Sequence, residues 1–133
     1  NYGGFDTHSN QRTSHDRLMA RLDGAIGAFF ADLKQRAIDA DTTLVVYSEF
    51  GRRVQENGSR GTDHGAAAPV LVFGAGVKPG LHGKHPSLTD LDGGDLRTTT
   101  DFRSVYQALV ADWFGVNPKA IVGEWPALPL LAS

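Results

Sequence analysis

Two short apolar runs, Leu44-Val45-Val46-Tyr47 and Val70-Leu71-Val72-Phe73, most constrain what this chain can fold into. Neither alternates apolar with polar residues, so each reads as a strand buried on both faces, the pattern of parallel sheets in α/β proteins. Amphipathic helices flank them. From Ser14 onward, Leu18, Leu22, Ile26, Phe29, Phe30 and Leu33 recur at helical spacing, with Arg17, Arg21, Asp23, Asp32 and Lys34 on other faces. Thr13 or Ser14 is the expected N-terminal cap, and Asp39, Asp41, Thr42 and Thr43 end this helix over a core. A second helix places Phe102, Val105, Tyr106, Leu109, Val110 and Trp113 on one stripe, with Thr100 or Asp101 as cap and Gly115 as stop. Segments 52–68 and 78–99 read as polar, glycine-rich loops, and the proline-containing tail from Asn117 as an irregular arm.

Counting one that ends near Phe5, only two or three strands are legible. An open sheet that small leaves long unpaired edges, which folded proteins pair or cover. The remaining strands are therefore expected upstream of Asn1 or in a partner chain, so that a homo-oligomer is one way to complete the sheet. The chain begins with Asn1 rather than Met and is expected to be a processed product or fragment. Its 133 residues suit one domain or one piece of a larger one.

Charge narrows the partners. With 13 Lys and Arg against 15 Asp and Glu, net −2, no broad field points to nucleic acid or a membrane surface, and any anion must be met by a local site. No apolar run approaches the roughly 18 residues of a membrane span. The chain has no cysteine, which excludes disulfides, thiolate metal sites and cysteine nucleophiles.

In open α/β sheets functional groups gather beyond the carboxyl ends of strands. Three segments qualify: Phe5-Asp6-Thr7-His8, Ser48-Glu49-Phe50-Gly51 and Gly61-Thr62-Asp63-His64-Gly65. Asp6, His8 and His64 would make a two-histidine, one-carboxylate set suited to Zn²⁺, Mn²⁺ or another divalent ion, with a position left open for substrate. Glu49, at the tip of an apolar strand, must reach solvent or find a partner such as that ion. Spacing alone equally describes Asp6 and His8 as a polar turn and His64 as a surface-loop histidine. Arg52, Arg53 and Arg60 could grip a phosphate or sulfate by forked hydrogen bonds, or form a solvated loop balanced by Glu56. His82 and His85 form another ligand-type pair, set among turn formers. Asp101 reads as a helix cap, and Asp92, Asp95 and Arg97 as loop residues.

The ordered set GGFDTHSNQ, TLVVYSEFGRR, GTDHGAAAPVLVFG and TTDFRSVYQALVADWFGV resembles the C-terminal part of a bacterial family, domain-of-unknown-function family 1501, over nearly the whole chain. That family is placed with the alkaline phosphatases, sulfatases and cofactor-independent phosphoglycerate mutases. The resemblance implies the C-terminal portion of a single alkaline-phosphatase-like domain, residues 1–133 of a three-layer α/β/α sandwich with a mostly parallel sheet whose N-terminal half lies elsewhere. It implies that Asp6, His8 and His64 hold one metal. Glu49-Phe50 stands where the superfamily has an Asp-His pair for a second metal. Phe50 cannot ligate, so that second site is weakened, rebuilt with Glu49 or with Asp63, or absent. The implied activity is metal-dependent hydrolysis of small anionic phosphate or sulfate esters, with the nucleophile upstream and this fragment alone inactive. The alternatives are a non-catalytic binding or assembly module of the cell envelope, and a plain α/β domain without metal. Export to the periplasm or cell surface is expected on the resemblance alone.

Overall fold

The computed structural model describes residues 2–132. In chain order its elements are α1 (Gln11–Gln35), β1 (Thr43–Val46), β2 (Gly51–Glu56), β3 (Thr62–Gly65), β4 (Leu71–Gly74), β5 (Leu91–Asp92), β6 (Asp95–Leu96) and α2 (Phe102–Ala108). A π-helical turn (Leu109–Trp113) continues α2, and a 3-10 turn (Pro118–Ala120) follows.

The long helix begins three residues before the expected start. Asn10, in a left-handed conformation at φ 45°, precedes it without a side-chain cap. Helix entry is fixed instead from outside: the Asn10 and Gln11 amides donate to the carbonyls of Ser59 (3.0 Å) and Arg60 (2.9 Å). Two amides at the helix entry are thus satisfied by a distant turn. The apolar stripe is covered less than expected. Leu33 alone is buried, Leu18, Leu22, Ile26 and Phe30 are half-buried, and Phe29 is exposed.

Both apolar runs form strands, β1 and β4, which pair antiparallel with Val45 opposite Val72 and Leu44 opposite Phe73. Parallel neighbours need a long crossover, usually helical, whereas antiparallel ones can be joined by compact chain. Here the intervening chain is itself a hairpin, β2–β3, so β4 returns alongside β1. Among the described residues every strand pairing is antiparallel, and the mostly parallel sheet expected from the sequence is not among them. No strand ends near Phe5, and β1 is half-buried along its length rather than covered on both faces.

Segment 52–68, expected as loop, holds the β2–β3 hairpin with an irregularity between Arg52 and Glu56. Segment 78–99 contains a second hairpin, β5–β6, turned by Gly93 (φ 57°) and Gly94 (φ 90°). Two consecutive positive φ values suit a tight two-residue hairpin turn, which two glycines adopt without Cβ strain.

The main core sits under α2. Val105 and Ala108 pack with Leu130 and Leu131 of the tail, against Val70, Val72, Val77, Leu109, Trp113 and Leu128. Burying a side chain of this size contributes about 1.5–3 kcal/mol. The irregular tail is held by backbone bonds, Lys78 N–H to Leu130 O and Ala132 N–H to Gly76 O, both 2.8 Å. Asp101 caps α2 as expected, its Oδ1 accepting from the Arg103 amide at 2.9 Å.

Candidate metal centre

The loop carrying Asp6 and His8 has no regular structure of its own, so its shape comes from what it touches. Arg52 on β2 is the principal clamp. Its Nη2 donates to Phe5 O and its Nη1 to Thr62 O, each at 2.6 Å, which ties the loop to β3. Asn57 adds a second tie: Nδ2 donates to His8 O (3.1 Å) while Oδ1 accepts from the amides of Ser59 (2.9 Å) and Gly61 (3.1 Å). Thr62 Oγ1 donates to Gln11 Oε1 at 2.9 Å and joins β3 to the first turn of α1. Gly61 lets the loop approach, because a Cβ there would fall 2.4 Å from His8 O.

These constraints bring Asp6, His8 and His64 together, although 58 residues separate Asp6 from His64. One ligand atom from each lies within 4.8 Å of the others. The two imidazoles converge on a single carboxylate oxygen, with Asp6 Oδ1 2.7 Å from His64 Nε2 and 2.9 Å from His8 Nε2. The hydrogen bond from His64 holds the Asp6 carboxyl below its ordinary pKa; burial, next in size, opposes it, and the charges of both imidazoles and the His8 hydrogen bond add to the lowering. Asp6 is therefore ionised at neutral pH. Asp63 lies behind the set, its Oδ1 3.8 Å from His8 Nδ1 and accepting from Asn57 Nδ2 at 3.2 Å.

The donor chemistry fits a divalent ion of the zinc or manganese type: two imidazole nitrogens and one carboxylate. All three side chains are substantially exposed, between 46% and 62%, so solvent or a ligand can reach the space between them.

The other sequence candidates lie apart. Glu49 is exposed, outside the cluster, on the rim of a broad groove with Tyr47, Leu81 and Phe102. The arginines do not share a target: Arg52 is committed to backbone carbonyls, Arg53 faces Asp95 of β6 at 3.6 Å, and Arg60 sits exposed in the hairpin turn at φ 59°. His82 bonds Lys78 O through Nε2 at 3.0 Å, and His85 bonds Pro86 O through Nδ1 at 2.8 Å.

Two contributors were hidden from the sequence. Asn57-Gly58 signals a hairpin, but a two-residue turn there would set Gly51 opposite His64; the longer turn between Glu56 and Thr62, with its register shift, is what pairs Arg52 with His64. Phe50, which cannot ligate, lies flat on the His64 ring with centroids 3.9 Å apart and planes 8° from parallel.

Fold and site together define a chain of helices and small antiparallel sheets with an Asp-His-His donor set at the mouth of a β-hairpin. Residues 1–112 match a protein family described as "Protein of unknown function (DUF1501)", and the chain belongs to that family. No curated protein and no solved structure matches the chain.

Proposed function

We propose that this chain is part of a metal-dependent hydrolase of phosphate or sulfate esters, in which Asp6, His8 and His64 hold one divalent ion and the attacking hydroxyl comes from upstream. The observation that carries this reading is the convergence of both Nε2 atoms on Asp6 Oδ1. An ion bound there would supply Lewis acidity toward an ester oxygen. The chain's own contribution is geometric and electrostatic. Arg52 fixes the loop that presents Asp6 and His8, and its guanidinium, 3.8 Å from Asp6 Oδ1, adds positive charge beside the site. One carboxylate, two neutral imidazoles, a divalent ion and an arginine leave net positive charge, which favours a small anionic ester. In this reading the β1–β4 ribbon is one part of a three-layer, mostly parallel sandwich, completed by upstream strands or a second copy, and the protein works in the periplasm or at the cell surface.

The decisive test is the metal content of the full-length protein beside Asp6→Ala and His64→Ala variants with retained circular dichroism. The proposal predicts near-stoichiometric Zn or Mn, lost in both variants, and hydrolysis of p-nitrophenyl phosphate or p-nitrophenyl sulfate. Metal-free wild-type protein contradicts it.

Phe50 favours a second reading, a non-catalytic envelope module that keeps one structural ion. Stoichiometric metal with no hydrolysis of either ester by the full-length protein supports that reading instead.

A further inference from the structure

We infer that Phe50 and Arg52 act as one positioning unit for this centre and make it a one-ion site, Phe50 by fixing the His64 imidazole and Arg52 by placing a permanent cation beside Asp6. The inference rests on the metal-binding reading above but not on hydrolysis.

The unit follows from strand geometry. Phe50 immediately precedes β2 and Arg52 is its second residue, so with extended backbone the two side chains leave on the same side. Arg52 pairs directly with His64 across the hairpin. Cross-strand and diagonal neighbours on one face are within side-chain reach. The result is a contiguous stack in which Phe50 lies 3.9 Å from His64 at 8°, and the Arg52 guanidinium carbon stands 5.1 Å from the Phe50 centroid. A cation near an aromatic ring is attracted by the ring's quadrupole, so Arg52 and Phe50 hold each other in place.

The His64 side chain is 46% exposed, and its nearest ring neighbours are Phe50 and, at 4.8 Å, His8. Without a flat neighbour, a half-exposed imidazole turns about its terminal torsion and spends only part of its time with Nε2 toward Asp6. The Phe50 ring restricts that rotation, so less freedom remains to be lost when an ion is bound. This is the service that hydrogen-bonded partners give to metal-binding histidines elsewhere, where their removal weakens metal affinity about 10–100-fold.

Arg52 sets the ion count. Its guanidinium lies 3.8 Å from Asp6 Oδ1 and is anchored by two carbonyls, so it cannot swing away without releasing the loop. A second divalent ion sharing Asp6 would have to sit beside this fixed charge, and the apolar Phe50 ring offers it no donor. Glu49 and Asp63 both lie outside the donor cluster, and Asp63 Oδ1, 3.8 Å from His8 Nδ1, accepts from Asn57 Nδ2 at 3.2 Å.

The test is a Co²⁺ titration of the metal-stripped full-length protein, followed by visible d–d absorption, for wild type, Phe50→Ala, Phe50→Leu and Phe50→Tyr. Expected are one Co²⁺ per chain in wild type, affinity about 10–100-fold weaker in Phe50→Ala and Phe50→Leu with an altered d–d band, and recovery to within a few-fold in Phe50→Tyr. Phe50→Leu retains apolar bulk without a flat ring, which separates ring orientation from general packing. Unchanged affinity and spectrum in the folded Leu variant overturn the positioning role, and two tight ions per chain overturn the one-ion assignment. No binding by wild type overturns the metal reading and this inference together, a result distinct from either.

Discussion

Gln107 grips the backbone of Trp125 at both of its polar groups: Nε2 donates to Trp125 O and Oε1 accepts from Trp125 N–H, each at 2.6 Å. A side-chain amide thus completes for the tail what a neighbouring strand would otherwise supply. The same tryptophan donates Nε1–H to Val122 O and lies under Arg103, whose guanidinium carbon is 3.4 Å from the ring centroid. Gln107 therefore links α2 to the arm that delivers Leu128, Leu130 and Leu131 to the core. Replacing it by alanine leaves both backbone groups without their partner, and such losses cost about 1–3 kcal/mol. Gln107→Ala should lower unfolding stability in urea by that amount and red-shift the tryptophan emission. Unchanged stability would mean that the tail is held by its apolar contacts alone.

Gly61 is required by space rather than by φ. A Cβ there would lie 2.4 Å from His8 O, 2.5 Å from His8 C and 2.9 Å from Ser9 N, all backbone atoms that cannot rotate aside. Gly61→Ala must push the ligand loop away from β3, and overpacking of this kind destabilises by about 1–3 kcal/mol. The loss of metal affinity should exceed that of Gly58→Ala, a control in the same hairpin with nothing within 4 Å of its Cβ. Isothermal titration with Zn²⁺ on both variants checks this, and equal affinities would show that the loop is not held against Gly61.

Asp101 carries a pH signature. Hydrogen bonds from the Arg103 side chain, Nε at 2.8 Å and Nη2 at 2.7 Å, with the Arg103 backbone amide second, hold its pKa down from 3.8 to about 2. The folded value lies below the unfolded one, so the contribution to stability is complete above pH 3.8 and is lost as pH falls toward 2. Carboxyl-carbon NMR titration should place the Asp101 midpoint near 2. Arg103→Gln should return it toward 3.8. A wild-type midpoint at the ordinary value would show that the pair does not persist in solution.

Much of the local structure was legible because it follows from periodicity. The apolar spacing of residues 18–33 and 102–113 marks both helices, and the β-branched runs mark β1 and β4. Pairing direction was not legible, because an unbroken apolar run reports burial and not which strand lies beside it. The helix start at Gln11 was missed because its amides are satisfied by Ser59 and Arg60, partners far away in sequence. At the site, the ligand types of Asp6, His8 and His64 were readable, and their convergence was an expectation that the geometry now supplies. From the sequence Arg52 reads as an anion-binding or a solvated loop arginine. Its role as a clamp depends on two main-chain carbonyls, and main-chain acceptors leave no trace in a sequence. The stacking of Phe50 is not legible for a similar reason, since it requires the hairpin register that sets Arg52 opposite His64.

On the proposed function Asp6, His8 and His64 bind one ion together, and X-ray absorption at the zinc edge of the Zn-loaded full-length protein reads that shell. Expected is a first shell of nitrogen and oxygen at about 2.0–2.2 Å, with multiple-scattering features of two imidazoles that fall to one in His64→Ala. A spectrum without imidazole scattering, or one unchanged by that substitution, would contradict it.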